Sequence, residues 1–270
     1  MLKTEQRNSN TTHIDKMTAL EMAEVMQKEN VNAALAVEAA LPDIAKAIDE
    51  VSKRMENKGR LFYIGCGTSG RLGVLDASEC PPTYGVSPDL VVGIIAGGDK
   101  ALRNAVEKIE DNYDSGKSDL AAYSITKNDS VVGISVAGGA SYVVGALEYA
   151  KSRGALTVSL SCNENSRISQ ISDISIITDT GAEVVTGSTR MKAGTAHKMV
   201  LNMLSTGFMI KLGRVYENYM VHIKPVNAKL KDRMIRIVSE IAGVDKEQAE
   251  LMLEANSWVI VDAIEKGTPK

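Results

Sequence analysis

Chemistry is concentrated first at Gly65-Cys66-Gly67-Thr68-Ser69-Gly70. An apolar run, Arg60 to Ile64, leads into these residues, and a helix-competent stretch, Arg71 to Ser78, leaves them. Strand, glycine-rich turn and helix in that order aim backbone N–H groups and a helix N-terminus at an anion. Glycine lets a ligand approach the backbone, and Thr68 and Ser69 add hydroxyl donors. Gly67, Thr68, Ser69 and Gly70 are therefore candidates for a phosphate cradle, set against the plainer reading of an ordinary βα turn. Gly65, Gly67 and Gly70 fit G-x-G-x-x-G, but no acidic residue closes a short strand about 20 residues on, so the dinucleotide motif is incomplete. The lysine of a nucleotide P-loop is absent as well.

Four other places carry usable groups. Glu79 sits in Asp76-Ala77-Ser78-Glu79-Cys80, just ahead of Pro81-Pro82, and by itself reads as a surface glutamate. Glu110 shares its stretch with Glu107, Asp111 and Asp114, which reads as a solvated acidic face. It also lies four residues after Val106 and three before Tyr113, at the border of an apolar stripe, whereas Asp111 points about 100° away on a helix. Gly187-Ser188-Thr189 precedes Arg190 and Lys192 at a helix start. That reads either as a basic cap or as charge for a phosphate. Ser135 and Ser141 flank Ala137-Gly138-Gly139-Ala140 after another apolar run. His197 reads as a surface or interface residue, and Cys66 as a residue packed under the glycine turn.

The elements that must position these groups follow from periodicity. Residues 1 to 12 are polar and are expected to be mobile. Thr18 with Glu21 makes a capping box, and a second helical pattern runs from about 31 to 57, kinked or split by Pro42. Apolar runs at 60–64, 90–96, 130–136, 155–161 and 173–177 alternate with helical stretches at 99–115 and 142–153. This predicts a doubly wound, mostly parallel five-stranded α/β sheet. Ligands of such sheets lie at the carboxyl ends of the strands, so the loops at 65–70, 97–100 and 137–141 should face one crevice. A long helix is predicted over 191–212, with further helices at 224–240 and 245–265, the last capped by Asp245. The expected division is a helical lead-in at 1–57, a sheet domain at 58–214 and a helical segment at 215–270.

Composition excludes several classes. Net charge is −3 with no long basic run, which gives nucleic acid no footing. No apolar stretch is long enough to span a membrane, and the polar start does not read as a signal peptide. Three cysteines without C-x-x-C spacing predict neither disulfides nor a zinc site. No metal or other cofactor is expected, and reduced thiols fit a cytoplasmic protein.

GTSGRLGVLDASECPPTYG at 67–85, IAGG at 95–98, AVEKIED at 105–111 and GAEVVTGSTRMKAGTAHKMVLNMLST at 181–206 resemble the N-acetylmuramic acid 6-phosphate etherase family. These are sugar-isomerase (SIS) domain enzymes related to the glucokinase regulatory protein, and the resemblance runs from about Ser9 to Ala249. It implies cleavage of the D-lactyl ether of a phosphorylated amino sugar without metal or nucleotide, in cell-wall recycling. It implies acid/base roles for Glu79 and Glu110, and phosphate or lactyl-carboxylate contacts for Ser188, Arg190 and Lys192. It also implies a homodimer, in which a neighbouring subunit completes the crevice and covers the apolar stripes of the lead-in helices. Many members carry Ser-Gly-Arg-Thr where this chain has Ala137 to Ala140, and each hydrogen bond to phosphate so lost is worth roughly 1.5–3 kcal/mol. Ser135 and Ser141 are the nearest replacements. The family's usual helical end module is shortened after Trp258. A non-catalytic sugar-phosphate sensor is the competing expectation, favoured by the lost hydroxyls. An aldose–ketose isomerase shares the fold but has no need of the Glu79–Glu110 pair.

Overall fold

A computed structural model of the chain describes residues 2–267. They form two compact units, one of residues 2–78 and 89–208 and one of 79–88 and 209–267. The first opens with short 3-10 turns at Lys3–Glu5, Ser9–Thr11 and Ile14–Lys16. This arm is tied to distant parts of the unit by hydrogen bonds. Asn8 Nδ2 donates to the Ala182 carbonyl (3.2 Å), Thr11 Oγ1 to that of Val184 (2.8 Å), and the Lys3 N–H to Asn163 Oδ1 (3.2 Å).

Helix α1 (Ala19–Ala39) starts at the expected capping box, with Thr18 accepting from the Glu21 N–H and Glu21 accepting from that of Thr18. It runs on without the predicted gap before residue 31. The break comes at Ala40, where Pro42 opens helix α2 (Leu41–Glu56) in its first turn, the position a proline fits best. Helix α2 lies against strands β4 (Leu156–Ser161) and β5 (Ile174–Ile177).

The sheet is all parallel, in the order β2-β1-β3-β4-β5, with β1 at Leu61–Gly65, β2 at Val91–Ile95 and β3 at Ser130–Ile134. β1, β3 and β4 are buried along their whole length, as a sheet covered on both faces requires. Helix α3 (Gly67–Tyr84) begins inside the glycine turn and continues through Pro81 and Pro82. A proline near a helix end removes a donor without forbidding the turn, which Gly85 N–H to Pro81 O (2.9 Å) closes. The predicted helix at 99–115 is in fact three pieces: α4 (Asp99–Arg103), a 3-10 turn at Ile109–Asp111, and α5 (Tyr113–Ala121). Lys108 adopts a left-handed conformation (φ 63°) that ends any continuous helical stripe there. Helices α6 (Ser141–Ser152), α7 (Arg167–Ile171) and α8 (Lys192–Lys211) complete the elements that begin in this unit.

The second unit contains a two-stranded antiparallel ribbon, β6 (Val215–Tyr216) with β7 (Tyr219–Met220), which periodicity had not revealed. Its helices are α9 (Ala228–Ala242), α10 (Lys246–Ala255) and α11 (Ile260–Lys266). Asp245 caps α10 as expected (2.8 Å to the Gln248 N–H), and Met234, Val238, Leu253 and Ile260 centre a separate small core.

His197 corrects its sequence reading. It is fully buried on α8, with Nε2 3.5 Å from Cys162 Sγ and Nδ1 unpaired. Burial pushes its pKa down to about 4. The folded ring stays neutral where the unfolded one, near its ordinary 6.5, takes a proton. Stability contributed by the neutral ring is therefore complete above about pH 6.5 and lost as the pH falls towards 4, by roughly 3 kcal/mol. Denaturant titrations between pH 7 and pH 4 are expected to show this slope, and His197→Gln is expected to flatten it.

Candidate functional site

Strand order sets the place of the site. The chain leaves β1 for β2 on one side, then crosses back to β3 on the other, so the connections leaving the carboxyl ends of β1 and β3 part in opposite directions. Such a switch point leaves a crevice. A cavity of about 330 Å³ opens there, large enough for a sugar phosphate. Cys66, Gly67, Thr68 and Ser69 line it from the β1 side, and Ser135, Ala137 and Ala140 from the β3 side. Glu110, Glu5 and Thr189 complete the wall.

The cradle depends on a tight elbow. A Cβ on Gly65 would meet the Gly70 nitrogen at 2.8 Å, and one on Gly70 would meet the Gly65 carbonyl at 2.5 Å. Gly67 has φ +52°, a left-handed turn that starts α3 directly at the strand end. The first N–H groups of a helix lack intrahelical partners, so the α3 start presents donors together with the Thr68 and Ser69 hydroxyls. Gly70 belongs to the elbow, its N–H bonded to the Cys66 carbonyl (3.3 Å), and does not line the cavity.

On the opposite wall, Ser135 Oγ accepts from the Gly138 N–H (3.1 Å), which leaves its proton for a ligand. Ala137 and Ala140 line the cavity with no side-chain donor, so two of the three positions that differ from the family pattern are pocket positions, while Gly139 does not line it. Ser141 is turned away, its Oγ accepting from Arg167 Nη1 (3.4 Å), and does not line the cavity.

Glu110 reaches the cavity because of a helix crossing rather than a helical stripe. A Cβ on Gly116 of α5 would lie 1.8 Å from the Tyr142 carbonyl, and one on Gly145 of α6 would lie 2.2 Å from that of Tyr113. These two glycines let α5 and α6 touch backbone to backbone. The 3-10 turn holding Glu110 immediately precedes α5, and the Ala137–Ala140 wall immediately precedes α6. The same contact therefore locates both. The Glu110 side chain makes no hydrogen bond or ion pair among the described residues. Burial, followed by the charges of Glu110 and Asp111, pushes the Cys66 thiol up to about 12, which keeps it a neutral lining group.

The remaining expected site residues are placed elsewhere. Lys192 is only 3% exposed and is tied to the equally buried Glu29, so it is not available to a ligand. Burial raises the Glu29 carboxyl, but hydrogen bonds from Lys192 and Asn10 outweigh this and hold it below its ordinary value. The start of α8 is likewise occupied, because Glu183 accepts from the N–H groups of Lys192 (3.2 Å) and Ala193 (3.0 Å). Ser188 is half-buried and Arg190 is exposed, and neither lines the cavity, whereas their neighbour Thr189 does. Glu79 is exposed and does not line the cavity. The Gly97–Asp99 loop, expected in the same crevice, lines a different hollow of about 510 Å³ beside edge strand β2. That hollow is lined by Asp99 and Asp119 with Ser115 and Ser118.

Hydroxyl and backbone donors together with two carboxylates in one cavity suit a phosphorylated polyol. Among the described residues no cluster of histidine, cysteine, aspartate and glutamate has metal-ligand geometry, and no helix is long and apolar enough to cross a membrane.

Comparison with known proteins bears on the fold and the family. Residues 43–151 match the glucokinase regulatory protein N-terminal SIS domain, and residues 100–207 match the SIS domain. Among solved structures, a phosphoheptose isomerase from Francisella tularensis superposes with a TM-score of 0.57 at 18% identity, covering 72% of this chain and all of that one. A phosphoheptose isomerase from Neisseria gonorrhoeae superposes with a TM-score of 0.53 at 17% identity, over 73% of this chain and all of that one. At such identities these show the fold alone. The N-acetylmuramic acid 6-phosphate etherase of Caldanaerobacter subterraneus subsp. tengcongensis is 52% identical over 263 residues, 97% of this chain and 86% of that protein. The protein of the same name from Actinobacillus pleuropneumoniae serotype 5b is 54% identical over 251 residues, 93% of this chain and 83% of that protein. With identity of that order along nearly its whole length, the chain belongs to the N-acetylmuramic acid 6-phosphate etherase family.

Proposed function

We propose that this protein is a carbon–oxygen lyase that splits N-acetylmuramic acid 6-phosphate into N-acetylglucosamine 6-phosphate and D-lactate. The observation that carries the reading is one pocket at the β1/β3 switch point holding Thr68, Ser69 and an unpaired Glu110, in a chain more than half identical to etherases. Phosphate sits on the α3 start, held by its N–H groups and by the Thr68, Ser69 and Ser135 hydroxyls. The apolar Ala137–Ala140 wall loosens that grip, a feature shared with the competing sensor reading, but leaves the carboxylate end intact.

Direct displacement at C3 of a sugar is slow. Ring opening places an aldehyde at C1 and acidifies the C2 proton. Glu110 removes that proton as the lactyl oxygen leaves C3 with a proton from a general acid, forming a C2=C3 double bond conjugated to the aldehyde. Water then adds its oxygen to C3, and C2 regains a proton. Glu79 is the other of the two proton-transfer groups that the family resemblance implies. It is absent from the lining of this pocket, which is consistent with its entering from a second copy of the chain. A homodimer also covers Leu20, Val31 and Leu35, which form an exposed apolar stripe on α1. Three free thiols support a reducing, cytoplasmic setting.

Incubation with N-acetylmuramic acid 6-phosphate in deuterated, oxygen-labelled water is expected to release D-lactate. The other product should carry deuterium at C2 and the label at C3. Glu110→Gln and Glu79→Gln should each lower turnover by roughly 10²–10⁴-fold without unfolding the chain. Label in the lactate with none at C2 would replace elimination by attack on the lactyl carbon, and binding without any lactate would leave only the sensor.

Sedimentation at micromolar concentration is expected to give a dimer. If the two acids come from different copies, mixing the two inactive variants restores roughly a quarter of wild-type activity through mixed dimers. A monodisperse monomer, or mixtures as inactive as their components, would return both roles to a single chain.

A further inference from the structure

The N-terminal arm brings a second carboxylate to the pocket. Glu5 ends the Lys3–Glu5 turn and lines the cavity with Thr68, Ser69 and Glu110. The arm is fastened on both sides of it. Thr4 is fully buried and accepts from Asn163 Nδ2 (3.3 Å), Lys3 pairs with Asp179, and Asn8 and Thr11 bond to the backbone at Ala182 and Val184. The Glu5 carboxylate packs at the Gly187 backbone, where an added Cβ would come within 3.4 Å of Oε2. Among the described residues its side chain has no hydrogen bond and no ion pair. Neighbouring side chains of the arm are thus consumed in holding it down, while this one is left facing the cavity with its acceptors unused.

We propose that Glu5 contacts the substrate, accepting hydrogen bonds from sugar hydroxyl or amide N–H groups and so fixing which end of the sugar phosphate faces the α3 start. A carboxylate has only acceptors, so its partner is a donor. The phosphate dianion is repelled from it and is left to the donor-rich end, at Thr68 and Ser69. Glu5 therefore selects a polyol attached to the phosphate and gives no help to phosphate alone. The proposal rests on the sugar-phosphate reading of this pocket and needs no particular reaction.

Calorimetric titration of the full chain with N-acetylglucosamine 6-phosphate and, separately, with inorganic phosphate tests it on wild type and Glu5→Ala. The expected result is sugar-phosphate binding weakened roughly 10- to 100-fold, the effect of losing hydrogen bonds to a charged group. Inorganic phosphate affinity should not fall, because removing Glu5 only relieves repulsion, and the thermal midpoint should stay unchanged, since the Glu5 side chain is exposed and bonds to nothing in the protein. Equal weakening of both ligands would make Glu5 a structural support of the cradle and overturn the proposal. So would unchanged sugar-phosphate affinity, or a wild type that does not bind the sugar phosphate. The etherase reading is judged separately by D-lactate release from the wild type. Release without any dependence on Glu5 sinks only the present proposal, whereas Glu5-dependent binding without release sinks only the etherase.

Discussion

The site depends on how closely α3 lies on the backbone of the sheet. Besides the Gly65–Gly70 elbow, a Cβ on Gly73 would meet Tyr63 Cβ at 2.8 Å, and one on Gly93 of β2 would meet Val74 Cα at 2.5 Å. Two strands and one helix thus meet where side chains have been left out, and interiors this dense have no slack to take them in. The helix is pinned at its start and along its first two turns. Its N-terminal donors are consequently held against the β1/β3 crevice by packing, before any ligand arrives, and that preorganisation lowers the ordering cost of binding.

A second constraint ties the arm, α1 and α8 together. Glu29 of α1 is buried at 3% exposure against Lys192, and Asn10 of the arm donates to the same carboxylate (3.0 Å). Glu183 caps the two N–H groups at the start of α8 (3.2 and 3.0 Å). Burying these charges is favourable only because each finds partners, since an uncompensated one costs roughly 3–5 kcal/mol. The cluster therefore specifies how the 183–193 segment runs, and with it Thr189 at the pocket. Asp76 plays a comparable part on α3, where it accepts from Asn202 (2.6 Å) and Ser205 (3.1 Å) of α8, while burial holds its carboxyl above the ordinary range.

Much of this was legible in the sequence because it is local. The five apolar runs are the five strands, and the capping box at Thr18, the cap at Asp245 and the cradle at 67–69 lie in one stretch of chain each. What escaped reading is set by distant partners. Lys192 looked like a ligand because its partner, Glu29, is 163 residues away. His197 looked exposed because nothing nearby declares that α8 is sunk in the core. Glu110 lines the cavity, but not for the reason expected: the stripe through Val106 and Tyr113 breaks at Lys108, and the glycine contact of α5 with α6 sets its position. Thr189 had a weak signal in its hydroxyl neighbour Ser188, and Glu5 had none, lying about sixty residues from the cradle it faces.

The anchors of the arm also bear on the order of assembly. The Lys3–Asn163 and Lys3–Asp179 contacts span 160 and 176 residues, so almost the entire first unit must be laid down before its opening turn has anything to grip. Long-range contacts of this kind are the slow ones, because closure entropy is spent before they form. On a chain emerging from the ribosome, the cradle at 67–69 can take shape with its neighbouring strands, while the Glu5 wall stays open until β5 and the segment after it have joined the sheet. The arm is thus among the last segments to reach its native place, although it precedes in the chain everything it grips.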